Sequence, residues 1–306
     1  MIAAIVVSYN PEADIFVNLL HRLINQVDRL FIVDNSPVQY GDAFDFLVDA
    51  GFDWERVVLI RMGNNLGIAA ALNVGIVRAL QEGADFVLLS DHDSLPDENM
   101  VPQLLAAYET MVKCGVNVGA VGPTFTELQT KRTHPFHAQM PGRFFYGKNY
   151  PTHETPHVEA LTLITSGTLI PAHVLRDVGM MCEDLFIDLV DFEWCHRVRR
   201  QGYHLFGTIW AMMYHRMGDG RLRLWYLYWR YANSYSPLRI YYQVRNFIAL
   251  CKLDYIDWRW KVRFGWYCLG VVYSHSIFSS QRLESLEMTA MGVWHGLIGK
   301  MGRYPE

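Results

Sequence analysis

Five apolar runs of strand length, Ile2–Ser8, Arg29–Asp34, Val57–Arg61, Phe86–Ser90 and Val118–Gly122, alternate with segments of helical period in the first 125 residues. The spacing predicts helices over Ile15–Gln26, Tyr40–Ala50, Gly67–Glu82 and Glu98–Cys114. In Gly67–Glu82, Ala71, Leu72, Ile76 and Leu80 share one face, and Gly83 follows as a C-cap. Such an order implies an α/β chain with a mostly parallel sheet covered on both faces. Sheets of that kind bind ligands at the carboxyl ends of their strands.

Those ends are polar. The first strand runs into Ser8-Tyr9-Asn10-Pro11, the second into Asp34-Asn35-Ser36, the third meets Asn64-Asn65-Leu66-Gly67, and the fourth ends in Asp91-His92-Asp93. Helix capping and turn chemistry explain any one of them. Four in succession favour a ligand with a base, a ribose and a metal-bound diphosphate. Asp91 and Asp93, two residues apart beyond an apolar strand, can converge on one hard cation such as Mg²⁺ or Mn²⁺. No GxGxxG follows the first strand and no GxxxxGK[ST] occurs, which disfavours a dinucleotide oxidoreductase and a P-loop NTPase.

Composition bounds the alternatives. At 306 residues, 51% hydrophobic and 19% charged, the chain has a core to bury and is not a disordered or collagen-like protein. Five scattered cysteines without a CxxC argue against a disulfide framework or zinc site and fit a reducing cytosol. The N-terminus reads as a core strand rather than a signal peptide. The uncharged run Phe264–Gln281 carries Ser, His and Gln in its second half, a poor membrane span. A cytoplasmic protein is expected.

Charge divides the chain. Residues 1–220 hold 15 Lys/Arg against 26 Asp/Glu, and residues 221–306 hold 12 against 5. Cations such as Arg259, Lys261 and Arg263 interleave with Trp225, Trp229, Trp258 and Trp260. This pattern suits an anionic membrane surface, a stacked single-stranded nucleic acid or a dimer interface, and some of these aromatics must cover the core. The acidic body disfavours nucleic acid. Peripheral contact with the inner face of the cytoplasmic membrane and a homo-oligomer both stay open on these residues, and the family resemblance given next is what favours the membrane.

The stretches Val6-Val7-Ser8-Tyr9-Asn10, Val33-Asp34-Asn35-Ser36, Asn65-Leu66-Gly67-Ile68-Ala69-Ala70-Ala71-Leu72-Asn73 and Asp91-His92-Asp93-Ser94 resemble glycosyltransferase family 2, in particular its bacterial rhamnosyltransferase branch. Asp184–Arg197 and Tyr241-Tyr242-Gln243-Val244-Arg245-Asn246 are similar to the same branch. The resemblance implies a GT-A fold, a Rossmann-like mostly parallel sheet flanked by helices, over residues 1–220, followed by a helical extension over 221–306. It implies an inverting, metal-dependent transfer of L-rhamnose from dTDP-L-rhamnose to a cell-surface polysaccharide or lipopolysaccharide acceptor. By the same resemblance Tyr9 and Asp34 contact the nucleobase, Asn65 and Asp91 belong to the nucleotide site, Asp93 binds the metal, and Asp191 is the base. The family's usual Glu before that Asp is Val190 here, which removes one neighbouring acceptor. Another UDP- or GDP-hexose as donor is the alternative. A sugar nucleotidyltransferase would need a Gly-rich basic loop that Ser8–Asp14 lacks.

Several residues keep two readings. Arg197, on a predicted helix Phe192–Gln201, either serves the diphosphate or pairs with Glu193 at i,i+4. Glu193 either binds the acceptor or holds the base, and Asp188 is an alternative base. His215 is either a third metal ligand or structural. Thr165-Ser166-Gly167-Thr168 forms either an acceptor-side loop, with Gly167 at its centre, or an ordinary turn. The long segment Thr124–Thr155 is placed to fold over donor or acceptor.

Overall fold

The structure, a computed structural model, describes residues 1–37, 47, 51–127, 132–140, 142, 144–215, 220–226 and 228–305, the side chains of 215, 220, 221, 224–226 and 228–232 excepted. The chain opens β1 (Ile2–Ser8), α1 (Ala13–Ile24), β2 (Arg29–Asp34), β3 (Val57–Arg61), α2 (Ile68–Gln81), β4 (Phe86–Asp91), β5 (Ser94–Pro96), α3 (Met100–Lys113) and β6 (Val118–Glu127). Short strands β7 (Phe136–Ala138), β8 (Gly147–Asn149), β9 (His157–Ala160) and β10 (Leu169–Pro171) follow. Then come α4 (Ala172–Val178), a 3-10 turn (Glu183–Leu185), α5 (Val190–Arg200) and β11 (His204–His215). The expected helix Tyr40–Ala50 lies outside the described residues except for Leu47, which is helical.

The main sheet runs β3-β2-β1-β4-β10-β6-β11-β5, with β9 also on β11. β1 is parallel to β2 and β4, β2 to β3, and β6 to β11, whereas β10 runs antiparallel between β4 and β6. Alternation along β1 sorts its side chains to two cores. Ile5 and Val7 join Leu72 and Ile76 of α2 and Trp194 and Val198 of α5. Ala4 and Val6 join Phe16, Leu19 and Leu23 of α1 and Val101 and Leu104 of α3. Both faces are thus covered, as a parallel sheet requires.

The extension is helical from Pro237 onward, but a hairpin precedes it: β12 (Gly220–Tyr226) pairs antiparallel with β13 (Tyr228–Ser234). The helices are α6 (Pro237–Cys251), α7 (Trp258–Phe278) and α8 (Arg282–Ile298). Pro237 at the first helical position and the Ser236 side chain fix the start of α6, and Asp257 caps α7 by accepting from the Arg259 N–H at 2.7 Å. Leu250, Ile256 and Trp260 enter the same core as α2 and α5. Against α5, Phe192 packs on Trp260 and Phe264 with ring centroids 5.7 and 5.8 Å away.

Candidate active site

Strand register aligns the polar ends into one rim. Ser8 stands opposite Asp34, Asp34 opposite Arg61, and Val7 opposite Asp91. Asp34 is buried, and its Oδ1 accepts from the Ser36 N–H at 3.0 Å and the Ser8 hydroxyl at 3.5 Å. Tyr9, just past β1, is exposed with its ring available. Asn65 is engaged in turn chemistry: its Oδ1 accepts from Asn35 Nδ2 and the Gly67 N–H, both at 3.0 Å, while Asn35 Oδ1 accepts from the Leu66 N–H at 2.9 Å.

Asp91 is held by a residue 75 positions away. The Ser166 hydroxyl donates to Asp91 Oδ2 at 2.6 Å and accepts from the Asp91 N–H at 2.9 Å, and the Ser94 hydroxyl donates to Ser166 Oγ at 3.0 Å. Gly167 lets the loop turn back beside β4. Its φ is +81°, its N–H donates to Leu89 O at 2.7 Å, and a Cβ there would stand 2.6 Å from Pro123 Cγ. Gly167 is therefore a backbone requirement of the loop that aims Ser166, not an exposed acceptor contact. Gly167→Ala is expected to destabilise the fold by about 2 kcal/mol, read as a lower denaturant midpoint at constant m-value. An unchanged midpoint would reject that role.

Asp93 lies between β4 and β5, and β5 pairs antiparallel with the end of β11 so that His215 stands opposite Ser94. The backbone therefore brings the last residue of β11 beside the residue that follows Asp93. The His215 side chain lies outside the described residues. Among the described residues no three His, Cys, Asp or Glu side chains cluster as a metal site. The donor types present, carboxylates of Asp91 and Asp93 beside a backbone-placed histidine, suit a hard divalent ion that takes its remaining ligands from phosphate and water.

The segment leading to Asp191 has unusual backbone. Phe186, Asp188 and Leu189 have φ of +63°, +63° and +66°, and Ile187 N–H donates to Leu185 O at 2.8 Å to close a γ-turn at Phe186. Conformations of this kind cost about 1–3 kcal/mol each and persist only where neighbours impose them. Two sets of neighbours do so. From the body, Asn73 Nδ2 donates to Met181 O at 2.9 Å and Glu183 Oε1 at 2.8 Å, and the Ile68 N–H donates to Phe186 O at 2.8 Å. Gly67 must be glycine for that last approach, since at φ +91° a Cβ would stand 2.6 Å from Phe186 O.

From the extension, fully buried Arg245 donates Nη2 to Leu185 O at 2.9 Å and to Asp184 O at 3.3 Å, and Nη1 to Gly302 O. Its guanidinium lies over the Tyr242 ring, 4.9 Å from the centroid. Asn246 Nδ2 donates to Leu185, Ile187 and Asp188 carbonyls at 2.9, 2.8 and 2.8 Å. Arg239 Nη2 pairs with Asp188 Oδ1 at 2.8 Å. The Tyr241–Asn246 motif is thus a clamp on the approach to Asp191.

Asp191 sits in the first turn of α5, where the Phe192 N–H donates to its Oδ1 at 2.9 Å. Burial pushes its carboxyl up to about 7, against that hydrogen bond, and the like charges of Asp91 and Asp188 add to the rise. The end of β4 and the start of α5 therefore meet in one electrostatic site. Glu193 does not share it. Its oxygens accept from Arg197 Nε at 2.8 Å and Nη2 at 3.0 Å and from the Tyr255 hydroxyl at 2.7 Å. The expected acceptor contact of Glu193 gives way to a buried ion pair, and Arg197 spends its remaining donors on Val178 and Met180 carbonyls.

Residues 3–163 match the family described as Glycosyl transferase family 2. The chain belongs to that family. The dTDP-rhamnosyl transferase RfbF of Shigella flexneri is 30% identical over 307 aligned residues, covering 98% of this chain and 97% of that protein. Among solved structures, GalNAc-T7 with UDP, GalNAc and Mn²⁺ superposes with a TM-score of 0.61 at 11% identity, over 98% of this chain. The chain spans 56% of the length of that structure. The mannosyltransferase PcManGT of Pyrobaculum calidifontis, in complex with GDP-Man and Mn²⁺, gives 0.54 at 14% identity, over 97% of this chain and 75% of the other. At such identities the likeness is one of fold, and the fold of this family 2 glycosyltransferase is GT-A.

The family match ends at residue 163, before Asp191. The sequence points to Asp34, Asp91 and Asp191 but not to Ser166 as the partner of Asp91, nor to Arg245 and Asn246 as the clamp. A signal for the last two existed: Arg245 and Asn246 are polar side chains on a helix face that otherwise faces the core.

Proposed function

We propose that this glycosyltransferase moves L-rhamnose from dTDP-L-rhamnose to a hydroxyl of a glycan acceptor with inversion at the anomeric carbon, Asp191 serving as base. The observation that carries the reaction is a carboxyl held near pKa 7 at the start of α5, against the strand-end rim that carries Asp91. The donor reading rests on the near full-length relationship to a dTDP-rhamnosyl transferase. Residues 1–220 carry the chemistry, and the extension holds the loop that leads to the base.

In the step itself, the acceptor oxygen bonds to the anomeric carbon as its proton passes to an Asp191 oxygen, and the bond from that carbon to the diphosphate oxygen breaks on the opposite face. In this reading Tyr9 and Asp34 receive the nucleobase, the ring by stacking and the carboxylate by a hydrogen bond, supported by the exposed Tyr9 ring at the end of β1 beside Asp34 at the end of β2. Asp91, held by Ser166, binds the ribose in the same reading. Asp93, with His215 as the second candidate, would hold a divalent ion, which when bound offsets charge on the departing diphosphate.

The test is calorimetric titration of dTDP-L-rhamnose, UDP-hexoses and GDP-hexoses into the protein, with Mg²⁺ and with EDTA. Preference for dTDP-L-rhamnose is expected, and Asp93→Ala is expected to weaken binding with Mg²⁺ about tenfold or more while leaving the EDTA value unchanged. Preference for a UDP- or GDP-sugar would keep the chemistry and change the donor. An Asp93→Ala variant with undiminished metal dependence would remove Asp93 as a ligand.

A further inference from the structure

A cleft of about 530 Å³ opens between the β7–β8 hairpin and α7, lined by Phe145, Tyr146, Gly147, Lys148 and Arg263. Two elements supply its cations. On α7, Arg259 and Arg263 stand one turn apart and share the face that meets the hairpin. Arg259 Nη1 donates to Gln139 Oε1 at 2.9 Å, and Arg263 Nη2 donates to His137 Nε2 at 2.6 Å. On β8, the exposed Lys148 stands directly opposite His137, so the two side chains lie on one face of the hairpin.

Among the described residues neither Lys148 nor Arg263 forms an ion pair. The groups that Arg259 and Arg263 bond are a neutral amide and a neutral imidazole. Burial pulls His137 down to about 4, and the Arg263 and Lys148 charges add to the fall. Desolvation lowers the Arg263 guanidinium as well. Arg259 Nε is buried without a hydrogen-bond partner among the described residues. The nearby acids are already engaged. Asp257 accepts from the Arg259 N–H at 2.7 Å and from the Tyr146 hydroxyl, and Glu159 lies 3.6 Å from Arg199 and 3.2 Å from His204 Nδ1. Positive charge is thus gathered at one cleft with no anion of the chain against it.

We propose that this cleft is an anion site, distinct from the nucleotide rim, for a phosphate ester carried by the acceptor glycan. Two cations facing neutral partners match the roughly two charges of a phosphate monoester or a diphosphate, where a carboxylate supplies one. Arg263 keeps guanidinium donors beyond the one given to His137, so it can clamp phosphate oxygens while Lys148 adds a point charge. The volume exceeds what a phosphate fills and leaves room for a sugar ring against Phe145, which is 48% exposed. Position selects the acceptor over the donor. Arg263 precedes Phe264, whose ring packs 5.8 Å from that of Phe192, the neighbour of Asp191. The His137 carbonyl accepts from the Leu161 N–H at 2.6 Å, at the head of the loop that carries Ser166. The cleft therefore flanks the base-bearing helix, whereas Tyr9 and Asp34 stand at the ends of β1 and β2. The word acceptor rests on the glycosyl-transfer reading; the phosphate chemistry does not.

Calorimetric titration of glucose 1-phosphate and of inorganic phosphate into the full-length protein, saturated with dTDP and Mg²⁺, tests this. Glucose 1-phosphate is expected to bind, more weakly as salt is raised, and to lose affinity at least about tenfold in the double variant Lys148→Ala, Arg263→Ala. Lys148→Ala alone removes only an exposed side chain, so circular dichroism should be unchanged while binding weakens about threefold or more. Tighter binding of glucose 1-phosphate than of inorganic phosphate supports a phosphorylated sugar as the ligand. Equal affinity makes free phosphate the occupant and overturns the acceptor assignment. No binding of either probe, or binding unchanged in both variants, overturns the site. So does binding that appears without dTDP and is abolished by it, since the phosphate then sits on the nucleotide rim. The double variant should bind dTDP-L-rhamnose as wild type does, so a failed donor titration counts against the proposed donor and not against this cleft.

Discussion

Asp191→Asn is expected to lower kcat by about 10³-fold while leaving dTDP-L-rhamnose binding within about twofold, because asparagine keeps the side chain's size but cannot take the acceptor proton. In the wild type only the carboxylate is a base, so kcat/KM should rise with pH through about 7, the value to which burial and the Asp91 and Asp188 charges push Asp191. The same shift has a thermodynamic consequence of definite sign. The folded carboxyl keeps its proton at pH values where the unfolded one, near 3.8, has released it, so the fold loses stability as pH rises from about 4 to about 7. Below that window both states are protonated and the group is neutral in its effect. The variant should therefore be more stable than wild type at pH 8, by about 2 kcal/mol after allowance for partial solvent access, and equal to it near pH 3. Denaturant unfolding at the two pH values checks this. Retained turnover would shift the base role to Asp188, and equal stability at pH 8 would show that the Asp191 carboxyl is not desolvated.

What was legible in the sequence follows from the range of the interactions involved. β1 to β4 and α2 are written in local apolar runs and period, and the observed ends differ from expectation by at most one residue. The Glu193–Arg197 pair was legible because i,i+4 spacing on a helix brings the two side chains together whatever surrounds them. Ser166 was not, since the loop that carries it reaches Asp91 only through the antiparallel insertion of β10 beside β4. The hairpin at the start of the extension is also written locally. Arg221-Leu222-Arg223-Leu224-Trp225-Tyr226 alternates with period two and is rich in β-forming aromatics, a pattern that the count of cations and aromatics obscured. The expected acceptor role of Glu193 gave way for a related reason. Burial drew both oxygens into contacts from Arg197 and Tyr255, and Tyr255 lies 62 residues further along.

Arg245→Met is expected to destabilise the protein by about 3 kcal/mol, because it removes the donors that Arg245 gives to the Leu185, Asp184 and Gly302 carbonyls and to Asn246 Oδ1 and empties the space over Tyr242. Its effect on catalysis should outlast its effect on folding. The γ-turn at Phe186 and the left-handed Leu189 are imposed from outside, by Arg245 and Asn246 on one side and Asn73 and Gly67 on the other. With one side gone the segment relaxes toward ordinary backbone, and the start of α5 turns Asp191 away from the acceptor hydroxyl. At a temperature where circular dichroism shows the variant fully folded, kcat should still fall about 10²-fold with the donor KM unchanged, the signature of a displaced base rather than a lost binding contact. Asn246→Asp gives an independent reading, since it replaces the amide that donates to three carbonyls with an acceptor that repels them. It should lower kcat in the same way. Arg245→Lys should not rescue the activity, because a single ammonium on a flexible stem cannot serve Leu185, Gly302 and Asn246 together while stacking on Tyr242. Variants that lose stability but keep wild-type kcat when folded would make the clamp a structural tie alone, and the geometry of Asp191 would then have to come from Asn73 and Gly67.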